Sequence, residues 1–214
     1  MSIIRINCPE LLSLYDTYQK TDGGFPTAVS SLGGEELGLA LLQHYLRGQG
    51  RVANRLPGVP RTGNQKGYRL DGWLVLDGEL MQVEVKNWGA NAIGGTPFKD
   101  GGDWAGGWQG FLRSFKQPNL QKVLSPMRPP LAHAGPVMHA TACMWPVMHP
   151  AGTTEPMFVV PVSDLSQVPW ANPFAELHVF SMSSYLRALN VDTLDLEMPV
   201  LHGRLQRLTK IFTL

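Results

Sequence analysis

Acidic side chains are missing from Gly48 to Leu70, and charge is scarce throughout: Asp, Glu, Lys and Arg make up 16% of the 214 residues. Cysteine is nearly absent as well. Cys8 and Cys143 are the only two, with no CxxC pair, which excludes a disulfide framework and points to a reduced, cytoplasmic protein. No apolar run approaches the ~20 residues of a membrane span. The N-terminus MSIIRINCPELLSLY lacks a basic segment leading into a long apolar stretch, so no secretory signal is expected. The Gly-rich stretch Gly89–Gly107 contains no GxxxxGK[ST], which excludes a phosphate loop of that kind. A net charge of +1 neither requires nor excludes a nucleic-acid partner, because a local basic stripe suffices.

What is present is a hydrophobic share of 43%, enough for a real core in a chain of this length. A single domain over residues 1–214 is expected, with its core at about 33–190, burying roughly 70% of the unfolded surface. Gly (23) and Pro (17) cluster in two zones, Gly23–Gly110 and Pro118–Pro173, and read as long loops around a small sheet. Leu37, Leu39, Leu41, Leu42, Tyr45 and Leu46 repeat at helical spacing after Gly33-Gly34, which predicts a helix over Glu35–Leu46 ended by Gly48 and Gly50. Shorter helices are predicted over Pro9–Lys20, Ser183–Asn190 and His202–Phe212, and a broken one over Trp108–Leu124. Strands are predicted at Val52–Leu56, Val137–Trp145, Met157–Val162 and His178–Phe180. This order suits an α/β sandwich with a mixed central sheet flanked by helices.

The most telling segment is Leu70–Asn87, LDGWLVLDGELMQVEVKN. Two apolar-rich runs flank Asp77-Gly78, the signature of a two-residue hairpin turn. Asp71 opens the first run. On the second, Val83 and Val85 take one face, leaving Gln82, Glu84, Lys86 and Trp88 on the other. Glu-x-Lys on one strand face is also a common weak surface ion pair. An amide and a large aromatic beside the charges favour a cleft instead. Two carboxylates with an adjacent ammonium match the needs of metal-dependent phosphodiester hydrolysis: the acids hold a hard cation, and the Lys holds the attacking water.

These residues resemble the PD-(D/E)XK nuclease superfamily, with its restriction-endonuclease-like fold, and more closely its nuclease-related NERD domain. The elements that carry the resemblance are Gly34-Glu35, Asp71, Glu84-Val85-Lys86-Asn87-Trp88-Gly89, Trp104 and Gln117-Pro118-Asn119-Leu120-Gln121. It is strongest over residues 33–124. Two departures stand out: Leu70 replaces the superfamily's Pro, and the usual Asn-Pro order is inverted at Pro118-Asn119.

The resemblance implies a hydrolase, a deoxyribonuclease in first place. Asp71 and Glu84 would bind the metal with the Val85 carbonyl as third oxygen, and Lys86 would orient or deprotonate the water. Glu35, or Glu36 if the helix phase shifts by one, would hold a metal-bound water or a second ion. Gln121 would reach the scissile phosphate. Oxygen donors without nearby His or Cys select Mg²⁺ or Mn²⁺ over Zn²⁺.

Nucleic acid, DNA before RNA, is the expected partner, with no membrane and with self-association undecided. Arg51, Arg55, Arg61, Lys66 and Arg69 form the acid-free basic loop that would grip phosphates. Trp88 is a candidate for stacking a base; core packing competes for it, as for Trp104 and Trp108. Two other readings stand beside the nuclease. One is a non-catalytic nucleic-acid-binding module of the same fold. The other is a soft-metal protein using His133, His139, His149, Met138, Met144, Met148 and Cys143, although these lack metal-ligand spacing and suit strand core equally.

Overall fold

The computed structural model describes residues 2–16, 28–56, 71–86, 137–144, 155–160 and 174–212. Its elements are β1 (Ile3–Asn7), α1 (Cys8–Asp16), a π-helical turn (Ser30–Gly34), α2 (Glu35–Gly48), β2 (Ala53–Arg55), β3 (Gly72–Leu76), β4 (Glu79–Lys86), β5 (Val137–Cys143), β6 (Met157–Val159), β7 (Phe174–Ser181), α3 (Met182–Leu189), β8 (Thr193–Glu197) and α4 (Pro199–Ile211). The chain is mixed α/β, with a six-stranded mixed sheet flanked by helices.

The leucine pattern of α2 makes it the central helix. Leu37, Ala40, Leu41, Leu42 and Leu46 are buried. Gly33-Gly34 does not start this helix, as the sequence had suggested: Gly34 is itself helical (φ −62°, ψ −40°), and the π-helical turn runs straight into Glu35. Gly38 lets the helix lie directly on the sheet, since a Cβ there would stand 2.5 Å from Val85 Cγ1. Leu39 in turn packs on Gly72, where a Cβ would stand 2.6 Å from Leu39 Cδ1. Gly50, with φ of +76°, donates to the Arg47 carbonyl at 2.9 Å and closes the helix where the sequence placed its end.

The Asp77-Gly78 turn forms as expected. Both residues have positive φ (52° and 93°), the backbone of a type I′ hairpin that matches strand twist. The main sheet runs β2-β3-β4-β5-β7-β6. β2, β3 and β4 are antiparallel neighbours, β4, β5 and β7 are parallel, and β6 returns antiparallel on β7. Parallel pairing of β4 with β5 requires a crossover between residues 86 and 137.

Register sorts the side chains of this sheet onto two faces. Gly72, Leu74, Met81, Val83, Val85, Ala140, Ala142 and Phe180 face α2, and Tyr45 packs on Phe180 with ring centroids 5.4 Å apart. Trp73, Gln82, Glu84, His139, Thr141 and Val179 occupy the opposite face, and they too are buried.

The second, two-stranded sheet pairs β1 with β8 and was not expected from the sequence. β7 is also longer than the predicted His178–Phe180, running from Phe174 to Ser181. Among the described residues no helix is long and apolar enough to cross a membrane.

Candidate metal and catalytic centre

The strand ends furthest from the hairpin turn bring the two sequence-predicted carboxylates together. Gly72 pairs with Val83, so continuing the register by one residue sets Asp71 opposite Glu84. Asp71 Oδ2 accepts a hydrogen bond from the Val85 backbone N–H at 2.7 Å. That amide lies just beyond the last paired residue of β3, and the carboxylate takes over where the main-chain ladder stops. Asp71 is therefore tied to the Glu84-Val85-Lys86 backbone itself.

Glu84 is 3% exposed. A carboxylate so far from water needs positive charge or strong donors nearby. Its strand neighbour on β5 is Thr141, while Lys86, the last residue of β4, is at the register position of Cys143. The side chain of Lys86 falls outside what is described. On the face that the sequence suggested as a cleft, Gln82 (0% exposed) and Glu84 are buried. Burial on both faces is what a strand beside a parallel neighbour experiences.

Glu35 and Glu36 have different positions and tasks. Glu36 accepts from the backbone N–H groups of Val200 (2.9 Å) and Leu201 (2.6 Å), capping the N-terminus of α4, and stands 3.8 Å from the Arg55 guanidinium. It is engaged in holding the last helix. Glu35 lies one helical turn before Gly38 and Leu39, whose contacts are Val85 and Gly72. That puts Glu35 toward the sheet end that carries Asp71. Among the described residues, however, no three His, Cys, Asp or Glu side chains gather into one metal-holding group. Glu35 is therefore near this end of the sheet but outside a common shell with Asp71 and Glu84.

The basic residues separate. Arg51 pairs with Asp77, whose Oδ1 also accepts from the Val52 N–H at 2.8 Å. The Arg51 hydrogen bond holds the Asp77 carboxyl below its usual range. This pair sits at the hairpin tip, roughly 20 Å along the strand from Asp71. Arg55 points into the fold, donating to Gln43 Oε1 (3.0 Å) and the Glu197 carbonyl (2.8 Å). Burial lowers its pKa, against the opposing pull of Glu36 and Glu197. Arg61, Lys66, Arg69, Trp88 and Gln121 lie outside the described residues, as do Trp104, Trp108, His133, Met148 and His149.

No protein-family model, no curated protein and no solved structure matches this chain. Residues and geometry alone carry the functional argument.

One feature escaped sequence reasoning as part of this site. On β5, His139 Nε2 and Thr141 Oγ1 are 3.0 Å apart and both residues are 0% exposed. Register sets His139 beside Gln82 and Thr141 beside Glu84. The Phe174 ring packs on His139 with centroids 5.0 Å apart. Next along the strand, Cys143 donates to the Phe180 carbonyl at 3.5 Å, and burial pushes its thiol far up. Met138 and Met144 are likewise buried in the core, the packing role weighed for them above.

Proposed function

We propose that this chain is a metal-dependent nuclease of the PD-(D/E)XK type, hydrolysing phosphodiester bonds of nucleic acid, DNA before RNA. The observation that carries this is the bond from the Val85 N–H to Asp71 Oδ2, which couples the first carboxylate to the Glu-x-Lys strand. The element order supports it too: one helix, three antiparallel strands, then a strand parallel to the third.

The donor chemistry fits a hard divalent cation. Asp71 and Glu84 offer carboxylate oxygens, and the Val85 carbonyl, on the peptide after the N–H that Asp71 accepts from, would be the third. Mg²⁺ or Mn²⁺ held there would stabilise negative charge building on the phosphate. Glu84 is 3% exposed, and a bound cation would offset the cost of burying its carboxylate. Lys86 orients the attacking water and accepts or shares its proton. Glu35, one helical turn before the Gly38–Val85 contact, would hold a metal-bound water or a second ion.

The direct test is incubation of the full chain with Mg²⁺ or Mn²⁺ and linear, circular, single- and double-stranded DNA, with RNA alongside. Metal-dependent cleavage that disappears in Asp71→Asn is expected. Binding without cleavage under all metals would replace this reading with the non-catalytic module.

A further inference from the structure

The geometry points to Thr141, oriented by His139, as a positioning residue for the Glu84 carboxylate, an assignment that rests on the nuclease reading above. Glu84 and Thr141 are register partners on adjacent parallel strands. Such strands lie about 4.8 Å apart, so side chains at paired positions on one face are neighbours. Thr141 and His139 are both fully buried, and beyond them on β7 stand the apolar Leu177 and Val179. An apolar pair would fill this space without the desolvation cost of a hydroxyl and an imidazole. The polar pair occurs where β5 borders Gln82 and Glu84, and the face turns apolar one strand further on.

The chemistry follows from donor counting. A threonine hydroxyl has one proton and two lone pairs. With the proton of a neutral imidazole on Nε2, His139 donates to Thr141 Oγ1 across the 3.0 Å contact. On this assignment the hydroxyl proton is then available to Glu84, the register partner of Thr141 on β4. Phe174 packs against the imidazole and limits its rotation, which keeps that orientation. Thr141 thus sets the carboxylate in place for a cation without touching substrate, as outer-shell partners of metal ligands do.

The test uses the full chain with Mn²⁺ as probe. Thr141→Val keeps the shape and removes the hydroxyl; Thr141→Ser keeps the hydroxyl. Calorimetric titration should show Mn²⁺ affinity reduced about 10-fold or more in Thr141→Val and restored in Thr141→Ser. The cleavage rate constant should fall in parallel, with KM for DNA unchanged. A folded Thr141→Val with wild-type Mn²⁺ affinity and rate overturns the assignment. If that variant does not fold, His139→Phe, which keeps a ring against Phe174 and removes the nitrogens, should show the same loss, and undiminished affinity there overturns it equally. Wild-type protein that neither binds Mn²⁺ nor cleaves would instead remove the nuclease reading, and this assignment with it.

Discussion

Val83 and Glu84 are consecutive on β4, 0% and 3% exposed, yet they face two different environments. Val83 belongs to the α2 side, where leucines, alanines and Phe180 interlock and Gly38 and Gly72 allow helix and sheet to touch. Glu84 belongs to the other side, where Gln82, His139 and Thr141 put polar atoms in an equally buried place. Burial alone does not tell the two faces apart; chemistry does. The α2 face is mostly apolar, with His178 the buried polar residue that β7 adds to it. The other face keeps costly groups beside Asp71, the arrangement expected of a site that does work.

Substitutions on the two faces should therefore move different observables. The largest effect is expected for Glu84→Gln. Mn²⁺-dependent cleavage should drop by three orders of magnitude or more, since the cation supplies several kcal/mol of transition-state stabilisation. The melting temperature should hold or rise, because an amide is cheaper to bury than a carboxylate. A variant that loses its fold instead would place Glu84 with the structural residues.

Gly38→Ala is the counterpart on the α2 face. The added methyl would meet Val85 Cγ1 at 2.5 Å, so helix and strand must separate. A loss of about 1–3 kcal/mol in urea unfolding is expected. An unchanged midpoint would show that the contact yields easily.

Glu36→Gln comes next. Losing the charged cap of α4 should cost about 1 kcal/mol, with cleavage retained because Glu36 serves the helix and not the metal. A large drop in cleavage at unchanged stability would exchange the roles of Glu35 and Glu36.

The smallest effect is one of pH. His44 and His178 are both held below the ordinary histidine range, mainly by burial, with Glu176 partly opposing this at His178. The unfolded chain then binds protons that the folded chain refuses. Their contribution to stability is full above the ordinary value of about 6.5 and declines as pH falls below it. Melts between pH 7.5 and 5.5 should show the decline, and His178→Gln should flatten part of it.

The parts of this fold that depend on neighbours in sequence were legible. Asp77-Gly78 announced its turn through residues that accept positive φ, and the leucine spacing announced α2. The Asp71 and Glu84 pairing followed from that hairpin. Long-range pairing was not legible. β1 and β8 alternate visibly as IIRIN and TLDLE, yet each finds its partner across about 190 residues. The start of β7, Phe174-Ala175-Glu176, carries Ala and Glu of weak strand propensity, and the pairing of Phe174 with Val137 on β5 extends the strand to it. His139 and Thr141 could be weighed only as core or soft-metal residues until the parallel register of β5 set them beside Gln82 and Glu84. Arg55 looked like part of a surface loop because its partners, Gln43 and the Glu197 carbonyl, arrive from distant elements.

The central claim is that the β4 end beside Asp71 is catalytic. Its most direct test is the single-turnover cleavage rate of Lys86→Ala at saturating Mn²⁺, with folding, Mn²⁺ binding and DNA binding verified on the same sample. The account predicts a rate lower by about 10²–10⁴-fold, because the water loses its positioning and its proton partner, while both binding affinities stay close to wild type. A folded Lys86→Ala that binds both ligands and cleaves at the wild-type rate would contradict it.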